Sequence, residues 1–149
     1  MARNTVVKID WILHATEDFQ KIAEPLNDLF AIEMEEITKQ ELSGHFGNPI
    51  LMLHVEIKKK KAAQFIKKLV SLVPRDIMIE LLRNIEEQIF ESSLYMRFSK
   101  QNLVKKILTL EEKDPMRIAI YTPIYVKKET PDTYRKLLNE NNDNTWRWF

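Results

Sequence analysis

The sequence predicts a single α+β domain, because two kinds of hydrophobic periodicity alternate along the chain. Apolar residues recur at every second position in residues 5–14 and 50–58, which is typical of strands with one buried face. They recur at helical spacing over residues 59–90, which predicts a pair of amphipathic helices. Hydrophobic residues make up 44% of the chain, which is enough for a substantial core.

The first half of the chain is predicted to fold as strand, helix and two strands. After the strand at 5–14, a helix covers apolar positions from Phe19 to Phe30, and Pro25 predicts a kink or break near Ala23. A second strand is expected at 32–41, with Ile32, Met34 and Ile37 on its core side. Both glycines of the chain, Gly44 and Gly47, lie between this strand and the next, which predicts a hairpin turn.

The second half is predicted to add two helices, a strand, a helix and a strand. The helical pair covers 59–90, a strand follows at 93–98, and Ser99 caps a short helix. The last strand is expected at 116–126. We therefore place one domain at residues 1–126.

Residues 127–149 are predicted to form a C-terminal extension. Thr130 and Pro131 favour the start of a short helix that reaches about Asn139. The aromatic tail TWRWF follows it, and these residues either fold back on the domain or dock on a partner or a second copy.

Charge is distributed in blocks, although the net charge is only +1. Residues 58–75 contain seven basic and no acidic residues, and residues 92–106 contain four basic and no acidic residues. These two blocks are candidates for one electropositive face, and solvated helix surfaces are the alternative. The chain contains no cysteine, no visible export signal and no apolar run near the ~20 residues that span a bilayer. We expect a cytoplasmic protein with no membrane association.

Residue patterns give little support for catalysis. The chain has neither a nucleophile elbow nor a phosphate-binding glycine loop, so we expect no enzyme activity and no cofactor. Its histidines are His14, His45 and His54, of which His54 is expected on the opposite sheet face from Leu53 and Val55. A metal enzyme built on His14, His45 and Glu17 remains an alternative, although no spacing typical of a metal site supports it.

RNA is the partner that the basic blocks favour. Lysine and arginine contact phosphates, while glutamine and asparagine reach bases or ribose hydroxyls. The predicted RNA-binding residues are Lys58, Lys59, Lys60, Lys61, Lys67, Arg97, Lys100, Gln101, Lys105 and Lys106. No pair of aromatic residues typical of the RNA-recognition motif is visible.

Three short stretches together are more specific than any one of them: HATED (14–18), GHFGNPI (44–50) and LYMRFSKQ (94–101). In their order and spacing, the chain resembles an archaeal family of small RNA-binding or exosome-related proteins over residues 5–126. That family is similar in fold to the ribosomal protein that binds 5S ribosomal RNA. The resemblance implies a curved antiparallel or mixed sheet with helices packed on one side, and it suggests an RNA-processing complex as a partner.

The resemblance points to functional positions only where the motifs match. The matching residues of the first two motifs include a candidate loop site, which comprises His14, Glu17, Gly44, His45, Gly47, Asn48 and Pro49. Ser99 stands where the family usually has aspartate, and serine retains the ability to cap a helix. The leading hypothesis is a non-catalytic RNA-binding protein. The alternative is a dimeric scaffold held by a sheet edge or by the aromatic tail.

Overall fold

The computed structural model describes residues 4–43 and 49–140, which form one antiparallel sheet with helices on one side. The helices are α1 (Phe19–Phe30), α2 (Lys59–Leu72), α3 (Arg75–Arg83), α4 (Lys100–Val104) and α5 (Thr130–Glu140). The strands are β1 (Val6–Leu13), β2 (Thr38–Ser43), β3 (Pro49–Lys58), β4 (Ile89–Phe90), β5 (Ser93–Phe98) and β6 (Met116–Tyr121). The predicted α+β class is confirmed.

The strands are ordered β2-β3-β1-β6-β5-β4, and every pairing is antiparallel. Central strand β1 pairs Val6 with Lys58 of β3 on one side and with Tyr121 of β6 on the other. β2 and β3 form the predicted hairpin, with Ser43 opposite Pro49. Gly44, His45, Gly47 and Asn48 lie outside the described residues, so their predicted roles in the turn and the site stay predictions.

One face of the sheet supplies the core, because alternate residues of each strand point toward the helices. In β1, Val7, Ile9, Trp11 and Leu13 are buried, and the intervening residues form the opposite face. The other strands and the helices contribute apolar residues to the same core, among them Leu53, Val55, Ile66, Leu82, Met96 and Ile118. The opposite face of the sheet carries polar, charged and aromatic side chains.

Three expectations for the first half of the chain are wrong: a break in α1, the start of β2 and the burial of Met34. α1 continues from Phe19 to Phe30 without a break at Pro25, because Pro25 itself is buried with three neighbouring residues of the helix. β2 begins only at Thr38, since Glu33 and Glu36 form a capping box around a short 3-10 turn at Met34–Glu36. Met34 is therefore exposed rather than in the core.

The second helix of the predicted pair also ends early. α3 stops at Arg83, and a 3-10 turn at Ile85–Gln88 leads into β4, which periodicity alone did not reveal. β6 ends at Tyr121 rather than at residue 126. Proline at position 123 lacks the N–H that a continuing ladder would need. The cap at Ser99 is as predicted, since its hydroxyl accepts the backbone N–H of Asn102. The cap of α1 is Asp18, whose carboxylate accepts the backbone N–H of Gln20, and not Thr16 as its position before two acidic residues suggested.

The helix in the C-terminal segment contributes to the same core as the sheet. Tyr134 and Leu138 of α5 are almost completely buried, and Leu137 is nearly so. The predicted boundary between residues 126 and 127 stays a prediction, but α5 packs as an integral layer of the fold. The aromatic tail lies outside the described residues.

Replacing Ala31 with glycine should increase stability by up to about 1 kcal/mol. Ala31 follows α1 with φ 56° and ψ 33°, a left-handed conformation that favours glycine, and its N–H donates to Asn27 O. Ala23→Gly is the matched control inside the same helix, where the change should cost about 1 kcal/mol. Urea unfolding would measure both, and equal destabilisation by the two changes would contradict this explanation.

Candidate nucleic-acid interface

The first basic block lies where β3 passes directly into α2. Lys58 ends the strand, and Lys59, Lys60 and Lys61 form the first turn of the helix, all exposed. Lys59 has φ 56°, so the chain turns sharply between the two elements. The positive end of the helix dipole adds to the charge of the lysines, which makes this junction a strongly electropositive part of the surface.

Two lysines of this block make ion pairs that solvent screens. Lys58 Nζ lies 3.0 Å from Glu56, and Lys61 Nζ lies 3.3 Å from Glu36. The Lys58 hydrogen bond, against a small effect of burial, holds the pKa of Glu56 below its usual range. Exposed pairs of this kind contribute only about 0–1 kcal/mol, so a phosphate could replace the carboxylates at little cost.

The second basic block contains a lysine with a different environment. Lys100 begins α4, and its side chain is only 6% exposed. Its ammonium group donates to Ile12 O at 2.7 Å and contacts Glu17 at 3.2 Å and Asp114 at 2.9 Å. Three oxygen acceptors therefore surround Lys100 Nζ. A phosphate at Lys100 would have to displace these partners.

The ion pairs of Lys100 bring residues of two sequence motifs together in space. Glu17 Oε1 also accepts the backbone N–H of His14, and His14 Nε2 lies 3.1 Å from Asp114 Oδ2. Partial burial would raise the pKa of Asp114, but the hydrogen bond and charge of Lys100, followed by those of His14, lower it below its usual range. HATED and SKQ thus meet in one ion-pair cluster at the end of β1.

His14, Glu17 and Asp114 are also the residues that a metal site would use. One ligand atom from each lies within 4.8 Å of the others. The Lys100 ammonium contacts both carboxylates, so a lysine already supplies the cation that these acids require. The predicted metal alternative named His45 as well, and that residue lies outside the described part of the chain.

The remaining predicted residues are distributed over several elements. Lys67 is exposed on α2, Gln101 is exposed on α4, and Lys105 is exposed just after α4. Lys106 makes an ion pair with Asp28 of α1 at 2.9 Å. Lys58 pairs with Val6 at the start of β1, whereas Lys100 binds the carbonyl of Ile12 near its end. At about 3.3 Å per residue, these two positions along β1 are roughly 20 Å apart.

The face of the sheet opposite the helices carries a row of side chains of which sequence reasoning had singled out only Arg97 as a binding residue. We call this surface the open sheet face. Its central row follows from the strand pairing and consists of His54, Asp10, Arg117 and Arg97. His54 is on the opposite side from Leu53 and Val55, as predicted. Asp10 lies 2.5 Å from His54 Nδ1 and 3.7 Å from Arg117.

Aromatic side chains accompany the arginines on this face. The Tyr95 ring lies 5.5 Å from the Arg117 guanidinium carbon, 6.0 Å from that of Arg97 and 6.5 Å from the Phe90 ring. Tyr121 is on the same face, because it stands two residues beyond Ala119, which pairs with Tyr95. In the sequence, buried and outward-facing residues alternate in LYMRF and MRIAIY, which indicates two strands that each contribute side chains to this face. Their pairing register was the missing information.

The chain is similar throughout most of its length to known proteins. The model of an RNA-binding family matches residues 6–127. An RNA-binding protein of Pyrococcus abyssi is 32% identical over 131 residues, which cover 83% of this chain and 85% of the relative. The chain belongs to this RNA-binding family.

Solved structures agree with the observed architecture. A DUF54 protein from Archaeoglobus fulgidus superposes with a TM-score of 0.78 at 29% identity and covers 90% of this chain and 99% of its own. A DUF54 protein from Sulfolobus solfataricus gives a TM-score of 0.72 at 26% identity, over 92% of this chain and 99% of its own. The fold derived above is therefore the fold of these relatives. Among the described helices, none has the length and apolar character needed to traverse a bilayer.

Proposed function

We propose that this protein is a non-catalytic RNA-binding protein whose lysine junction at Lys58–Lys61 contacts the phosphate backbone. Membership of the RNA-binding family supports RNA as the ligand. The observation that supports this surface is the run of four exposed cations at the positive end of α2. Within the described part of the chain, neither Lys59 nor Lys60 makes an ion pair. The ammonium groups of both residues are therefore available to bind phosphates.

Phosphate binding is measured by its dependence on salt, because each bound phosphate releases condensed counterions. The triple variant with alanine at Lys59, Lys60 and Lys61 should bind a fluorescein-labelled single-stranded RNA at least about tenfold more weakly at low salt. Its salt dependence should be less steep by about one unit for each phosphate that the variant no longer neutralises. Fluorescence anisotropy at several salt concentrations measures both quantities.

A charge-matched control separates a local interaction from an effect of net charge. The triple variant with alanine at Lys21, Arg83 and Lys113 also removes three exposed positive charges, but from α1, α3 and the loop before β6. The control should retain most of the affinity and the salt slope. If both triple variants weaken binding equally, the lysine junction is not the phosphate-binding surface.

A dimeric scaffold without RNA binding is the second candidate, and the sheet edges give it less support. Edge strand β2 contains the charged residues Lys39 and Glu41, and charged edges oppose strand pairing between molecules. Light scattering tests self-association, but removal of residues 127–149 is a poor test because it would take Tyr134 and Leu138 from the core. Removal of residues 141–149 alone is the appropriate variant. A role in an RNA-processing complex would be tested by the same light-scattering measurement, in which an increase in mass after addition of fractionated cell extract would report a partner.

A further inference from the structure

We propose that the open sheet face is a stacking site for the bases of unpaired RNA, with Tyr95 and Phe90 as the stacking rings. This inference rests on the proposed function, since it adds the structural class of RNA that the protein recognises. It also places base recognition on a different surface from the lysine junction.

The described part of the chain leaves this face accessible to an extended ligand. Helices cover the opposite face of the sheet, where the core residues lie. Phe90 is 64% exposed, which is unusual for a side chain of its size, and Tyr121 is 42% exposed. Exposed aromatic rings on a sheet are suited to stack bases, and they do so with little dependence on sequence because every base has a π-face.

The charges of the face select an anionic ligand. Arg97 and Arg117 stand directly opposite each other on β5 and β6, and like charges in this arrangement repel. Among the described residues, Arg117 has one carboxylate within ion-pair distance, that of Asp10, which also contacts His54. Within residues 4–43 and 49–140, Arg97 has no carboxylate partner. Phosphate would relieve the repulsion, whereas an apolar protein surface would bury unpaired charge at a substantial cost.

A cavity beside the arginines provides room for a nucleotide. It has a volume of about 340 Å³, and its lining includes apolar residues, the two arginines and three carboxylates: Ile12, Met52, Pro115, Arg97, Arg117, Asp10, Glu112 and Asp114. Its apolar residues can contact a base or a sugar, and its carboxylates can accept hydrogen bonds from amino groups of bases. Duplex RNA could not use this site or the rings, because its bases are already stacked and paired.

The open face also leads toward the lysine junction. Strand pairing puts Lys58, Val6 and Tyr121 side by side in one row at the end of the sheet, with Ser93 of β5 next to Tyr121. A strand of RNA that stacks on Tyr95 and Phe90 can therefore continue across this row to Lys58. The stacking site and the phosphate-binding surface then form one path.

The test compares a single-stranded RNA of about 12 nucleotides with the same sequence in duplex form, using the full chain. The single strand should bind more tightly, and Phe90→Ala and Tyr95→Leu should each weaken its binding by at least about fivefold with little effect on the duplex. Arg97→Gln should also weaken it, whereas the matched control Arg83→Gln on α3 should not. A fluorescent adenine analogue in the strand should be quenched by the wild-type protein and not by Tyr95→Leu, which reports stacking directly.

Each other outcome has a definite meaning. Phe90 is exposed, so its replacement leaves the fold intact even if Tyr95→Leu reduces stability. If single strand and duplex bind equally and Phe90→Ala is neutral, the stacking site is wrong while RNA binding by the lysine junction stands. If the wild-type protein binds no RNA at low salt, both proposals fail. If the variants change only the mass in light scattering, the face binds protein and the stacking site is overturned.

Discussion

Replacing Lys100 with methionine is expected to destabilise the fold by about 2–4 kcal/mol, although methionine keeps most of the length and apolar packing of the lysine stem. The ammonium group of Lys100 neutralises Glu17 and Asp114 and binds the carbonyl oxygen of Ile12. Methionine would leave two carboxylates close together and a carbonyl without its donor. Both acids are partly exposed, so solvent screens them and the cost is lower than for a fully buried pair.

Thermal and urea unfolding of Lys100→Met would measure this effect. Lys105→Met is the control, because Lys105 is an exposed lysine just after the same helix. Its effect should lie within about 0.5 kcal/mol of zero. Equal stability of the two variants would mean that the cluster around Lys100 contributes nothing to the fold.

The same variant should alter the response of stability to acid. The pKa of Asp114 is lower in the folded protein than its usual value, so its ionised form favours folding above that value and the contribution is lost as the pH falls through the folded pKa. Without Lys100 the lowering is smaller. Lys100→Met should therefore lose less additional stability than the wild type as the pH falls below about 4.

The second large effect is expected at Tyr134, where alanine should cost about 3–5 kcal/mol. The Tyr134 ring is completely buried, and its hydroxyl donates to Ser92 O at 2.6 Å and accepts the Thr122 N–H at 3.3 Å. Ser92 has φ 68°, so this bond also holds a turn whose conformation is unfavourable for serine. One side chain of α5 thus joins the turn between β4 and β5 to the end of β6.

Tyr134→Phe separates packing from hydrogen bonding, and it should cost about 1–3 kcal/mol. Burial raises the pKa of Tyr134 to about 12, against the opposing effect of the Thr122 hydrogen bond. A raised pKa means stability that is complete below the ordinary value near 10 and is lost as the pH rises toward 12. The wild type should lose stability in this range, and Tyr134→Phe should lose less. A cost below about 1 kcal/mol for Tyr134→Ala would show that α5 is an appendage of the domain.

The sequence was informative where a single element determines its own pattern. Alternation in β1 and β3 and the cap at Ser99 are local properties, and they predicted the fold class, most strands and the start of α4 correctly. Pro25 does not break α1 as predicted, because burial of the helix outweighs the cost of about 3 kcal/mol for a proline inside a helix. The two-residue strand β4 is too short for any periodicity to appear.

Pairings between distant residues could not be predicted in the same way. Lys100 was predicted to contact phosphate because the sequence shows its charge. The sequence does not show that Glu17 and Asp114, which lie far from it along the chain, are its ion-pair partners. Tyr95 and Arg117 looked unrelated until the register of β5 and β6 brought them together. The family motifs came closest, since His14, Glu17 and Lys100 belong to matched stretches that meet in space.

The two faces of the sheet are formed by alternate residues along each strand. In β1, β3 and β6 a residue that builds the core is followed by one that faces outward, so the core and the proposed binding face are formed by alternate residues of the same strands. A substitution of an outward-facing residue need not disturb the packing of the core. Relatives can therefore change what they bind by altering every second residue of these strands while the architecture is inherited intact.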